Sequence, residues 1–100
     1  MSQYRFTPEA VDDLFEIWTY IAQDNAQAAD RVENAIHAAC VLLASRPHAG
    51  RLRPDLTPRP LRFWVVRHYP NYLIVYDSET KPIQIIRILH AARDLPTILT

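Results

Sequence analysis

Three stretches decide the fold: LRFWVVRHY at 61–69, YLIVYD at 72–77 and IQIIRILH at 83–90. Each is rich in β-branched and aromatic side chains, which fit a pleated, half-buried surface, and they are separated by Pro70-Asn71 and by Ser78 to Pro82. Short polar or proline-bearing breaks between such runs are turns, so the three read as an antiparallel meander. Upstream, Arg46 to Pro60 holds Pro47, Pro54, Pro58 and Pro60 together with the only glycine, Gly50. Proline lacks the backbone donor a ladder needs, so this segment is expected to be a stiff loop without regular structure.

A small sheet cannot hide both apolar faces alone, and the first half of the chain supplies the missing layer. Gln3 to Phe6 suits an edge strand. Thr7-Pro8-Glu9 then starts a helix, because Thr7 can cap it, Pro8 has the right φ for its first position, and Glu9, Asp12 and Asp13 favour its positive end. Val11, Leu14, Phe15, Trp18, Ile21 and Ala22 recur at helical spacing and are expected to form its buried stripe. On that assignment Trp18→Ala costs about 3–5 kcal/mol. After a break at Gln23 to Asn25, a second helix runs from about Ala26 to Ala44, with Ala29, Val32, Ile36, Ala39 and Leu43 repeating every three or four residues. Small alanines permit close approach, which predicts an antiparallel helical hairpin. Asp94 to Thr100 is expected to add a closing helical turn. The whole is an α+β layout with a helical hairpin packed on a small antiparallel sheet, a single domain over residues 1–100.

One hundred residues hold one core, and 49% hydrophobic with 22% charged residues is an ordinary globular composition. A lone cysteine, Cys40, excludes an internal disulfide and a Cys-rich zinc site. No apolar run approaches the ~18 residues of a membrane span, and MSQYRF lacks a signal-peptide core, so a cytoplasmic location is expected and no membrane role. Net charge is zero, but it is segregated: residues 1–30 carry six acids against Arg5, and residues 46–70 carry six arginines against Asp55. Ten of the eleven basic residues are arginine, the side chain suited to bidentate contact with carboxylate or phosphate.

Catalytic chemistry finds little support. His37, His48, His68 and His90 are scattered without an i, i+4 pair, so no metal is expected; Cys40 lies mid-helix among apolar neighbours, where thiols are inert; one glycine builds no phosphate-cradling loop. No cofactor is implied. Polar groups do gather near the end of the last strand, where Arg87 sits inside IQIIRIL and His90, Arg93 and Asp94 follow it. Strict alternation puts Arg87 on the face of Ile83, Ile85 and Leu89, and His90 on that of Gln84, Ile86 and Ile88. Arg59, Arg62, Arg67, Arg87 and His90 offer cations and one imidazole for work on RNA. Yet the glutamates lie far off in sequence, and no aromatic follows Tyr76, so the nuclease constellation is incomplete.

Taken together, Tyr4, TPEAVDDLFEIWTYIAQ at 7–23, LLASRPHAG at 42–50, Arg62, YLIVYD at 72–77 and IRILHAARDL at 86–95 resemble the RelE/ParE family of type II toxins, in its ParE-like branch. The resemblance implies a β-α-α-β-β-β fold and a toxin neutralised, in a heteromeric complex, by a ParD-like antitoxin whose acidic tail wraps it. DNA would be reached only through that antitoxin. It further implies inhibition of DNA gyrase by protein contact, with no catalytic residue of its own. Arg59, Arg62, Arg67, Arg87, His90 and Arg93 are the residues expected to meet target or antitoxin. The alternative is a RelE-like ribosome-dependent mRNA endoribonuclease, with Arg62, Arg87 and His90 around the scissile phosphate.

Overall fold

In the computed structural model, which describes residues 3–98, the elements are β1 (Tyr4–Phe6), α1 (Pro8–Ala22), α2 (Ala26–Ser45), β2 (Arg51–Leu52), β3 (Arg62–Val65), β4 (Tyr72–Asp77), β5 (Ile83–His90) and α3 (Ala91–Ile98). The sheet order is β1-β5-β4-β3-β2. β3, β4 and β5 form the predicted meander, but the sheet is mixed, because β1 runs parallel to β5 with Tyr4 opposite Ile83 and Phe6 opposite Ile85. A parallel neighbour requires a long crossover, and here the crossover contains the whole helical hairpin and the rest of the sheet.

Thr7 is the hinge between strand and helix. Its N–H donates to Ile85 O (3.0 Å), its Oγ1 donates to Ile86 O (2.8 Å), and the same oxygen accepts from Ala10 N (3.1 Å) as the cap of α1. One side chain thus ends β1, starts α1 and ties both to β5. Asn25 caps α2 in the same manner, accepting from Ala28 N at 3.0 Å. The two helices cover one sheet face and bury Ala10, Leu14, Ile17, Val32, Ile36 and Leu43 against Ile74, Tyr76, Ile85 and Ile88. A smaller cluster on the other face joins Leu61, Phe63, Val75 and Leu89.

Four local expectations are corrected. First, the buried stripe of α1 is Ala10, Leu14 and Ile17, whereas Val11 and Phe15 are 51% and 69% exposed and Trp18 is only half-buried, its Nε1 donating to Asp30 at 2.9 Å. The helix is rotated because Asp13 lies within the inward face: Oδ2 accepts from Arg87 Nε (2.6 Å) and Ile88 N (3.0 Å), and Oδ1 accepts from Arg87 Nη2 (2.8 Å). Hydropathy passes over a carboxylate, so the stripe that contains one goes unread.

Second, alternation along β5 breaks at a bulge, where Val75 pairs with Arg87 but Tyr76 pairs with Ile85. The extra residue shifts phase, so Ile83, Ile85 and Ile88 share the helix side while Leu89 packs on the other. Arg87, opposite Val75, therefore does not share a face with Ile85 and Leu89 together as expected. Third, the proline-rich loop is not wholly irregular, since Arg51 and Leu52 pair with Phe63 and Arg62, and the following strand is shortened to four residues. Fourth, α3 begins at Ala91, before Asp94; the final residues 99–100 lie outside those described.

The rotation of α1 sets its energetics. Leu14→Ala is expected to cost about 2–5 kcal/mol, Trp18→Ala about 1–2 kcal/mol, and Phe15→Ala no more than about 0.5 kcal/mol. Urea melts of the three variants check this, and equal losses at Leu14 and Phe15 would contradict the rotation.

Candidate functional site

The basic zone is built around Tyr76, whose side chain is fully buried. Its hydroxyl donates to Pro47 O (2.7 Å) and accepts from Gly50 N (2.8 Å), so the loop after α2 is pinned near the C-terminal end of β4. A Cβ at Gly50 would stand 2.6 Å from that hydroxyl oxygen, which is why glycine occupies the position. Burial pushes the Tyr76 phenol above its ordinary range, opposed by the hydrogen bond from Gly50 and the charge of Arg62, so the hydroxyl stays protonated. Arg62 completes the anchor, with Nη1 donating to Gly50 O (2.8 Å) and Nε to Ser78 Oγ (3.2 Å).

Of the six residues expected to face a partner, two are thus tied to other elements of the fold, and a third, Arg93, is paired to its neighbour Asp94. Arg62 holds the loop, and Arg87 forms the bidentate pair with Asp13, which holds its guanidinium above the ordinary range. Arg59 and Arg67 are exposed, with no carboxylate partner among the described residues, as are Arg46 and Arg51. Arg53 is paired to Asp55 at 2.7 Å. Arg51 lies on β2 and Arg46 and Arg59 in the segments that flank it, whereas Arg67 lies in the β3–β4 turn just after Val66, toward Tyr72. Arg46 and Arg51 thus flank the tyrosine-pinned loop and make the region around it cationic.

His90 and Arg93 lie elsewhere. Arg62 is opposite Tyr76 on β4, whereas His90 is opposite Tyr72, four residues along that strand. At about 3.3 Å per residue the two are separated by ~13 Å along the strand, besides one strand spacing across. Arg62, Arg87 and His90 therefore do not converge on one phosphate.

His90 instead lines a cleft of about 460 Å³ with Glu16, Ile17 and Tyr20 of α1, Asn71 and Tyr72 at the start of β4, and Arg93. Nothing in the sequence marks Glu16 or Tyr20 for this place, which is some 70 residues from His90 and reached only because α1 packs along β5. Tyr72 meets the His90 ring edge-on at 5.7 Å between centroids. Burial raises the Tyr72 phenol while the Arg93 charge lowers it. His90 Nδ1 accepts from Arg93 N (3.3 Å), which places the proton of the neutral ring on Nε2. Arg93 closes a bidentate pair on Asp94, whose Oδ2 also accepts from His90 N at 2.8 Å. The cleft therefore holds a carboxylate, two phenols, an imidazole and a guanidinium: groups for proton transfer and for anchoring a polar ligand.

Elsewhere, burial pushes the Cys40 thiol up to about 12, which makes it unreactive. No group of three or more metal-ligating side chains occurs among the described residues, and no helix there is long and apolar enough to cross a membrane. Outside α1, the exposed Val11 and Phe15 with Leu14, Trp18 and Glu33 border a shallow apolar groove of about 350 Å³.

Known proteins share this architecture. The family described as "ParE toxin of type II toxin-antitoxin system, parDE" matches residues 4–95. "Toxin RelE2" of Caulobacter vibrioides is 38% identical over 93 residues, covering 93% of this chain and 99% of the relative. "Putative toxin Y4kP" of Sinorhizobium fredii is 34% identical over 95 residues, covering 95% of this chain and 94% of the relative. A solved structure described as "Chromosomal ParDE TA system from P. aeruginosa" superposes with a TM-score of 0.72 at 22% identity, over 89% of this chain and 98% of that one.

The closing turn titrates. The hydrogen bonds from Arg93, followed by the His90 N–H and nearby positive charge, hold the Asp94 carboxyl below the ordinary carboxylate range. A depressed folded value stabilises the protein above the unfolded pKa of about 3.9, and that contribution is lost as pH falls through the folded value. Asp94→Asn is expected to cost about 1 kcal/mol at pH 7 and to flatten the acid limb of the stability profile. Thermal melts between pH 7 and pH 2 test it; an unchanged acid limb would contradict the assignment.

Proposed function

The chain belongs to the ParE toxin family of type II toxin-antitoxin systems, and from that premise we propose that it arrests growth by binding DNA gyrase, without bond-breaking chemistry of its own, until a ParD-like antitoxin neutralises it. The observation that carries this reading is the division of its charged groups. Arg62 and Arg87, the cations best placed in the sheet for phosphate work, are tied to Gly50 O and Asp13, while the free ones lie on an outer surface. A free cationic surface and an exposed apolar stripe at Val11 and Phe15 are recognition features. A toxin of this kind works by preferring one state of its target, the gyrase intermediate with cleaved DNA, over the others. The antitoxin forms a heteromeric complex with it and supplies the contact with DNA; the expected setting is the cytoplasm.

One observation favours a second reading, an endoribonuclease acting on messages at the ribosome. The cleft assembles Glu16, Tyr20, Tyr72 and His90 beside Arg93, and so supplies the proton-transfer groups that the chain order keeps apart. In that reading one of Glu16 and His90 takes the proton of the attacking 2′-hydroxyl, the other protonates the 5′-oxygen as its bond to phosphorus breaks and a 2′,3′-cyclic phosphate is left, and Arg93 faces the phosphate.

Purified toxin separates the two. With gyrase and supercoiled plasmid, the gyrase reading predicts linear DNA after protein denaturation; with translating ribosomes, it predicts intact messages. Transcript cleavage that His90→Ala abolishes, with gyrase unaffected, would sink it. A further outcome is expected for Phe15→Ser: a fold as stable as the parent but antitoxin affinity lowered at least about tenfold, read by calorimetry.

A further inference from the structure

The cleft at His90 has an unbalanced charge. Its one guanidinium, Arg93, is committed to Asp94, with Nε on Oδ1 (2.8 Å) and Nη2 on Oδ2 (3.2 Å). Its imidazole is engaged as well, because Nδ1 accepts from Arg93 N (3.3 Å) and a ring that accepts there carries no net charge. Glu16 is left over, exposed and without an ion-pair partner among the described residues. The wider surroundings have the same sign, since Arg93 lies in the field of Asp94 and Glu16, and Arg87, farther back on β5, in that of Asp13, Asp94 and Glu9. A phosphate entering here would meet a carboxylate and a guanidinium that is already neutralised.

The walls of the cleft are aromatic. Glu16 and Tyr20 stand four residues apart on α1, the spacing that puts two side chains on one helix face, and Tyr20 is 71% exposed, a large ring that the core does not use. Tyr72 lines the cleft from β4, and buried Ile17 adds apolar surface. The frame is rigid: Tyr72 N donates to Tyr69 O (3.0 Å), closing the turn before β4, and Ala91 N donates to Asn71 O (2.8 Å), tying that turn to the start of α3. An aromatic face beside a carboxylate binds organic cations, because the ring's negative face attracts the charge and the carboxylate takes the N–H donors. A planar guanidinium suits this better than an ammonium, since it stacks on a ring while its edge donates in bidentate fashion. The volume, about 460 Å³, is that of a small-ligand pocket.

We propose that this cleft receives the guanidinium of an arginine carried by a protein partner, with its charge on Glu16 and its plane against Tyr20. Because Glu16 and Tyr20 stand at the surface and do not enclose the cleft, it suits a side chain still attached to its backbone more than a free ligand that must be buried on all sides. The proposal does not rest on the gyrase reading. It is incompatible with the second reading, in which a phosphate occupies the same place.

The test is a titration of the isotope-labelled full chain followed by NMR, with N-acetyl-arginine amide as the probe of a protein-borne arginine. Saturable shifts of the Tyr20 and Tyr72 ring signals are expected, with a dissociation constant on the order of 1 mM. Glu16→Gln is expected to weaken binding at least about fivefold and Tyr20→Ala at least about threefold, whereas Tyr20→Phe, which keeps the ring, stays within about twofold. Both positions are exposed, so these variants fold as the parent does. Absence of a saturable shift, or binding that Glu16→Gln leaves unchanged, overturns the proposal. Equal binding of N-acetyl-lysine amide overturns the guanidinium assignment. Shifts of the same signals by inorganic phosphate and not by the arginine probe assign the cleft to an anion and overturn the proposal in favour of the second reading. Free arginine that binds at least about tenfold more tightly than the blocked amide assigns the cleft to a free amino acid, and so overturns it too.

Discussion

The ion pair between Asp13 and Arg87 is the constraint on which the rest of the structure depends. Past Phe6, β5 has no strand on its outer side, and its backbone groups there would face solvent or the underside of a helix. Thr7 satisfies two of its carbonyls and Asp13 takes the Ile88 N–H, while the same carboxylate grips the Arg87 guanidinium in bidentate fashion. Both side chains are largely shielded from water, so removing either partner would leave a poorly solvated charge. The pair therefore fixes how α1 is turned about its axis. With that rotation set, Leu14 and Ile17 face the sheet, Val11 and Phe15 face outward, and Glu16 and Tyr20 arrive over the end of β5.

A second anchor does for the cationic end what the first does for the helices. Tyr76 holds the loop after α2 through Pro47 O and Gly50 N, and Arg62 holds it through Gly50 O. A loop with four prolines loses little entropy on ordering, and with these three bonds it presents its arginines from a fixed frame. Partner recognition benefits, since a preorganised surface has less freedom to lose on binding. The two anchors also explain why a basic sequence segment is not the same as a basic surface: some of its guanidinium groups are internal fasteners.

Segregated charge gives the molecule two distinct kinds of contact region. The helical hairpin is rich in acids and bears the exposed apolar stripe of α1; β2 and the segments that flank it bear exposed arginines. Between them, the cleft at His90 is the place where chemistry, if the chain performs any, has its groups assembled.

Much of this was legible along the chain. The boundaries of β4 and β5, the start of α1 at Pro8 with Thr7 as its cap, the α2 pattern and the helical hairpin all follow from local chemistry, since turn residues, caps and apolar spacing act within a few positions. So did the family, because its motifs lie in fixed order along nearly the whole chain. Which stripe of α1 is buried, the parallel placement of β1, the bulge near Arg87 and the meeting of Glu16 and Tyr20 with His90 were decided only in three dimensions. The bulge depends on pairing across the β4–β5 hairpin, and the others on contacts between residues about 70 or more positions apart, such as Asp13 with Arg87; a pairing of that kind leaves no periodic trace in either partner's own neighbourhood.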